Sequence, residues 1–275
     1  MRPPFSPSSP IDAARYQGWI SDFGSYRYQV TESRILSWLN QFKAEDRDIA
    51  ARVLDAVDYI GQDRIIALYK AAINVLPGWD RRPSHRRGRW RFAAMSGSAG
   101  ESGDRMLHDF RLANGLDNRR FDEMFIYRRD IVGEKLGPED TLVLVDDFSG
   151  SGRQICTAWE EVFAELVPND TQAYLVLLAA GSAALTRIRH ETLLIPYAGV
   201  ELGDAHMLFE AKCRHFTTAE KQKILEYCAK VYPSKPKGEG DCGYLLVFAH
   251  RCPNNTIPIL WHHSPPAWWA VFPRN

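Results

Sequence analysis

The sequence predicts an α/β protein: a mostly parallel open sheet with helices on both faces, preceded by a helical N-terminal region. Three observations carry this expectation. The apolar runs TLVLV (141–145) and AYLVLLAA (173–180) are continuous rather than alternating, as in strands covered on both faces. Stretches of helical pattern separate such runs, which is the alternation of an α/β fold. Ahead of them, apolar residues recur at helical spacing over more than forty positions.

Along the chain, residues 1–10 (MRPPFSPSSP) are rich in Pro and Ser, and 1–31 is read as an N-terminal arm. The helical region, 32–80, shows three stripes. Ile35, Leu36, Trp38, Leu39 and Phe42 form the first; Ile49, Val53, Leu54, Val57 and Ile60 the second; Ile65, Ile66, Leu68, Tyr69, Ile73 and Leu76 the third. Thr31-Glu32 opens the first as a cap, and Pro77-Gly78 stops the last. The remaining 81–275 is read as the α/β domain. Its expected elements begin with a strand at 92–95, the loop SGSAGESG (96–103) and a helix at 104–113. A strand at 124–129, the 141–145 strand, a helix at 154–166 and the 173–180 strand follow. A helix through ALTRIRH, a strand at 192–197, a helix near 218–231, a strand at 244–250 and an aromatic tail complete the chain.

Composition limits the function classes. Of 275 residues, 45% are hydrophobic and the formal net charge is zero, so any nucleic-acid contact has to come from a local patch rather than a global field. No run of about 18 apolar residues is present, so no membrane span is expected. The first residues lack the apolar core of a signal peptide, and five cysteines without a CxxC pair fit a reduced, cytoplasmic protein. Cys213, His215 and His206 lack a second pair at ligand spacing, and a structural role is favoured over a metal site. The densest charge is RRPSHRRGRWRF (81–92), with six arginines between Arg81 and Arg91. Such a run marks either a phosphate, nucleic-acid or partner-protein contact, or a solvated loop leading into a strand.

The sharpest local signal is TLVLVDDFSGSGRQ (141–154). A buried strand ends in Asp146 and Asp147, and a small-residue turn then opens a helix. Carboxylates at the C-terminal edge of a parallel strand lie where open α/β sheets bind ligands. Small residues let backbone N–H groups approach an anion, and a helix N-terminus adds partial positive charge. Adjacent carboxylates suit sugar hydroxyls or a hydrated Mg2+ ion.

This arrangement resembles the phosphoribosyl-pyrophosphate (PRPP) motif of type I phosphoribosyltransferases. The resemblance implies that Asp146 and Asp147 face the ribose hydroxyls, and Mg2+ indirectly, as the catalytic pair. It also implies that Ser149, Gly150, Ser151, Gly152, Arg153 and Gln154 cradle the 5′-phosphate. Gly150 stands where many members carry an acidic residue or threonine, which removes a general base at that position. Arg153 and Gln154 replace a small hydroxyl pattern, which suggests Arg153 as a phosphate contact. Ser96, Gly97, Ser98, Ala99 and Gly100 have the character of the family's pyrophosphate loop but lack its basic residue, for which Arg105 or an arginine of the 81–91 run is the expected substitute. HRCPNNTIPILW (250–261) is similar to a C-terminal signature of phosphoribosyltransferase-like proteins from bacterial conflict and anti-phage loci, some beside retrons. There Asn254, Asn255 and Thr256 read either as a lid over the site or as a turn that caps the core.

Competing readings are weaker. The acidic pair lies too far along the chain for a response-regulator receiver, and neither a DxD nor a Walker A pattern is present. A structural Asp-Asp turn remains open. Ser96 and Ser98 have no evident His/Asp partners, Cys156 reads as a core thiol, and His262-His263 with Trp268-Trp269 read as a packed tail. Three functions therefore stand: an enzyme acting on PRPP or a nucleotide with Mg2+, an inactive nucleotide or RNA sensor, and a conflict-system effector that docks nucleic acid or a protein through its arginines.

Overall fold

The computed structural model describes residues 11–96 and 103–274. In chain order its helices are α1 (Ala13–Asp22), α2 (Glu32–Leu39), α3 (Arg47–Asp55), α4 (Gln62–Asn74), α5 (Gly103–Ala113), α6 (Ile131–Glu134), α7 (Arg153–Ala158), α8 (Ser182–Glu191), α9 (Thr218–Val231) and α10 (Pro258–Trp261). The strands are β1 (Asp58–Ile60), β2 (Trp90–Ala94), β3 (Thr141–Ser149), β4 (Gln172–Gly181), β5 (Ile195–Leu202) and β6 (Leu246–Phe248). Parallel sheets flanked by helices make this the α/β architecture expected. The chain forms two compact units, Met1–Gln62 with Gly203–Asn275, and Asp63–Leu202.

The Asp63–Leu202 unit is built on a parallel sheet in the order β2-β3-β4-β5. The continuous apolar runs are explained by burial on both faces. On one face, Ala93, Leu142, Leu144, Leu175 and Leu177 join Ile131 of α6, Ile155 of α7 and Leu185 and Ile188 of α8. On the other, the alternate residues Trp90, Phe92 and Tyr174 meet the rings of Trp79, Phe110 and Tyr197, and Phe110 of α5 packs on Tyr69 of α4. α7 continues into a π-helical turn, Trp159–Phe163, so the helix expected at 154–166 is present with its second half widened.

The connection from β2 to β3 sets the position of any site. After β2 and α5 the chain returns to the free edge of β2, where the Ile126 amide donates to the Phe92 carbonyl at 3.0 Å and Phe92 bridges Phe125 in parallel. It then passes through α6 to reach β3 on the opposite side of β2. The strand order therefore reverses between β2 and β3. The strand expected at 124–129 is reduced to this single rung between two 3-10 turns, Arg119–Met124 and Arg128–Asp130.

Most of the 81–91 arginines find carboxylates or carbonyls of their own chain. Arg82 pairs with Asp80, Arg91 with Glu134, and Arg81 donates to the Gly115 carbonyl at 2.7 Å. Arg89 grips Asp140 through its backbone N–H at 2.7 Å and its guanidinium at 2.6 Å. The Arg89–Asp140 bonds tie the entry of β2 to the entry of β3.

The other unit gathers both ends of the described chain. β1 pairs with β6 in parallel, and the helices α1, α2, α3, α9 and α10 enclose a core that includes Trp19, Trp38, Phe42, Val247, Trp268 and Phe272. Residues 1–10 of the expected arm lie outside the described residues; over the rest, α1 corrects the expectation. Asp12 caps it, accepting from the Arg15 amide at 3.0 Å, and Trp19 is buried with its indole N–H on Asp55 at 2.9 Å. Thr31 caps α2 as expected, and Thr217 with Glu220 forms a capping box on α9. The aromatic tail is packed: Trp268 is buried against Phe42, and its N–H donates to Ile259. All five cysteines are buried. Among the described residues no helix is long and apolar enough to cross a membrane.

Candidate functional site

β2 and β3 run side by side only as far as Ala94 opposite Val145, with one further bond from the Met95 amide to the Val145 carbonyl at 3.0 Å. β3 continues for four more residues in register with β4, with Asp146 opposite Leu177 and Ser149 opposite Ala180. From Asp146 onward β3 thus runs past its register with β2, at the point where the strand order reverses. That is the crevice in which open α/β sheets place ligands.

The acidic pair divides its roles. Successive side chains of a strand point to opposite faces, so Asp146 falls on the face of Leu142 and Leu144, and Asp147 on that of Val143 and Val145. Asp146 is 7% exposed, and its Oδ1 accepts the Asp147 amide at 2.9 Å. Asp147 is the more open of the two. Behind them, the fully buried Tyr69 donates its hydroxyl to the Asp146 carbonyl at 3.2 Å. Burial, followed by the charges of Asp147, Asp146 and Asp109, raises the Tyr69 phenol well above its ordinary range, so it stays a donor.

The turn that follows is built from small residues. Ser149, Gly150 and Gly152 are buried and Ser151 half-buried, while Arg153 and Gln154 project from the first turn of α7 as exposed residues. Gly152 has φ +79°, a left-handed conformation that suits glycine. No side chain caps α7. From α8, Arg187 donates to the Ser151 carbonyl at 2.8 Å and pairs with Glu191 at 3.3 Å. Cys156, one turn along α7, is a core thiol pushed up to about 11 by burial and by Glu191.

Gly97 to Gly100 of the expected pyrophosphate loop lie outside the described residues. The ends of that segment are adjacent: a Cβ on Gly103 would lie 2.4 Å from the Ser96 carbonyl oxygen, which requires glycine there. Two basic residues flank these ends. Arg105 sits on α5 with its Nε 3.8 Å from Asp109, and Arg128 donates to the Met95 carbonyl at 3.4 Å. The 81–89 arginines precede β2, about 13 Å or more from its C-terminal end at the rise of a five-residue strand, and are not brought to this edge. Asn254, Asn255 and Thr256 belong to the other unit, where the latter two cap its core. Asn255 donates to the Glu239 carbonyl at 2.7 Å and Thr256 to Leu246 at 2.6 Å, and the Asn254 carbonyl accepts from Glu239. Tyr69 and Arg187, which bond the motif from α4 and α8, were not legible in the sequence. Each comes from a different helix, and no local pattern joins them to the motif.

Among the described residues no group of three or more His, Cys, Asp or Glu side chains is placed to hold a metal ion. Two carboxylates at a strand end fit Mg2+ only as a partly hydrated ion shared with a ligand's phosphates, the manner in which Mg2+ is commonly held.

A parallel sheet with its order reversed beside a strand, acidic pair and glycine turn defines a phosphoribosyltransferase-like α/β protein. The sequence comparison agrees and is more specific. The PRTase-CE family model matches residues 35–274, and the chain belongs to that family. A search of curated proteins finds no match.

Proposed function

We propose that the protein binds PRPP or a nucleotide in the crevice at the end of β3 and transfers or removes its phosphoribosyl group with Mg2+. The observation that carries this reading is the run of β3 past the end of its register with β2, where Asp147 and the Ser149–Gly152 turn meet at the strand-order reversal. Backbone amides of the turn and the first turn of α7 would hold the 5′-phosphate. Asp147, the more open carboxylate, would accept the ribose hydroxyls and favour positive charge at the anomeric carbon as the leaving group departs. Asp146 would fix the backbone from which Asp147 projects. Mg2+ would neutralise the pyrophosphate. Positioning and charge neutralisation would supply most of the rate.

A second reading, a sensor that binds the same ligand without turnover, is favoured by Gly150, which offers no side chain for proton transfer beside the anomeric carbon. Incubation with Mg2+, labelled PRPP and a panel of bases and nucleotides separates the two. Pyrophosphate release that disappears in Asp147→Asn supports the enzyme, tight binding without release supports the sensor, and no binding of any ribose phosphate rejects both.

A further inference from the structure

Resting on that reading of the turn, we propose that Arg187 is the positioning residue of the 5′-phosphate site, setting phosphate affinity from behind without touching the ligand. Two independent contacts support this. The Arg187 guanidinium donates to the Ser151 carbonyl at 2.8 Å, while its Nε is held by Glu191 one helical turn on. Separately, α8 lies directly on Gly152: a Cβ there would sit 3.1 Å from the Ala184 carbonyl oxygen and 3.2 Å from Arg187 Cδ. α8 therefore holds both residues that bend the chain from β3 into α7.

The consequence is electrostatic as well as mechanical. A turn that presents amides inward to an anion directs carbonyls outward, and an outward carbonyl dipole left bare opposes the same conformation. The guanidinium satisfies the Ser151 carbonyl with a charge-assisted bond, and Glu191 keeps the arginine on that carbonyl. Arg153, expected from sequence to grip the phosphate, is exposed at the start of α7, and the cation that bonds the turn's own carbonyl comes from α8.

The test uses the full chain as wild type, Arg187→Lys and Arg187→Ala. Calorimetric titrations with ribose 5-phosphate, ribose and inorganic pyrophosphate are paired with amide hydrogen exchange of the free protein. Arg187→Ala is expected to weaken ribose 5-phosphate about tenfold, the scale of one charge-assisted bond. It should leave pyrophosphate within about twofold and ribose unaffected, and speed exchange at residues 151–154. Arg187→Lys should restore part of the affinity, since an ammonium reaches the carbonyl without keeping the fork on Glu191. Wild-type affinity in Arg187→Ala, unchanged exchange, or an equal loss for pyrophosphate would overturn the assignment. If the wild type itself fails to bind ribose 5-phosphate, the proposed function falls, and the exchange data alone then decide whether Arg187 holds the turn.

Discussion

Replacing Gly152 by alanine attacks the turn at its most constrained point. The φ of +79° costs an L residue about 1–2 kcal/mol. The new methyl also meets the Ala184 backbone at 3.1 Å and 3.3 Å, contacts that a helix can relieve only by moving, at about 1–3 kcal/mol for overpacking. Together these predict a loss of about 2–5 kcal/mol. Gly152→Asn separates the two parts, because asparagine tolerates the left-handed region but still carries the Cβ. It should lose about 1–3 kcal/mol. Gly133→Ala is the control: it lies in α6 with no atom within 4 Å of the added methyl, and should gain about 0.5–1 kcal/mol. Urea unfolding followed by tryptophan fluorescence reads all three. A Gly152→Ala protein within about 0.5 kcal/mol of wild type would refute the packing of α8 on the turn.

Three further outcomes follow from the structure. Asp140→Asn should cost about 1–3 kcal/mol, because the carboxylate accepts from the Arg89 backbone, the Arg89 guanidinium and the Gly137 amide; unchanged urea unfolding would contradict this. Arg89 lowers the Asp140 carboxyl to about 2, so its stabilisation is complete above the ordinary carboxylate value of about 4 and fades as pH falls through 2. Acid titration of wild type and variant should therefore converge at the low end, and a constant gap would count against the pairing. The thiols Cys228 and Cys252 are fully buried and pushed up to about 12, and Cys156 to about 11, so Ellman's reagent at pH 8 should find these three silent until the protein is unfolded. Tyr69→Phe should leave the fold intact at a loss of about 0.5–1.5 kcal/mol and weaken ribose phosphate binding through Asp146; a fall in stability with no change in binding would detach Tyr69 from the site.

What the sequence revealed follows the range of the interactions. The β3 strand, its acidic end and the glycine turn are local and were legible, as was the cap at Thr31. α1 was hidden because the Pro/Ser-rich opening coloured the reading of all 31 residues, although Asp12 and the Trp19–Phe23 spacing carry its signal. β5 begins at Ile195 rather than Thr192, because Thr192 ends α8 by donating to the Ile188 carbonyl at 2.7 Å and accepting the Leu194 amide. The arginine run left both an anion contact and a solvated loop open, because the counter-charges Glu134 and Asp140 lie some fifty residues away in sequence. The same limit hid the bonds of Tyr69 and Arg187 to the motif, and the pairing of β1 with β6.

The most direct test of the central claim is calorimetric titration of PRPP, with Mg2+, into wild type and Asp147→Asn at matched stability. The account predicts saturable binding by the wild type, weakened about tenfold or more in the variant for a charged hydrogen bond lost at the ribose. Equal affinity in the two proteins, or no binding by the wild type, would contradict it.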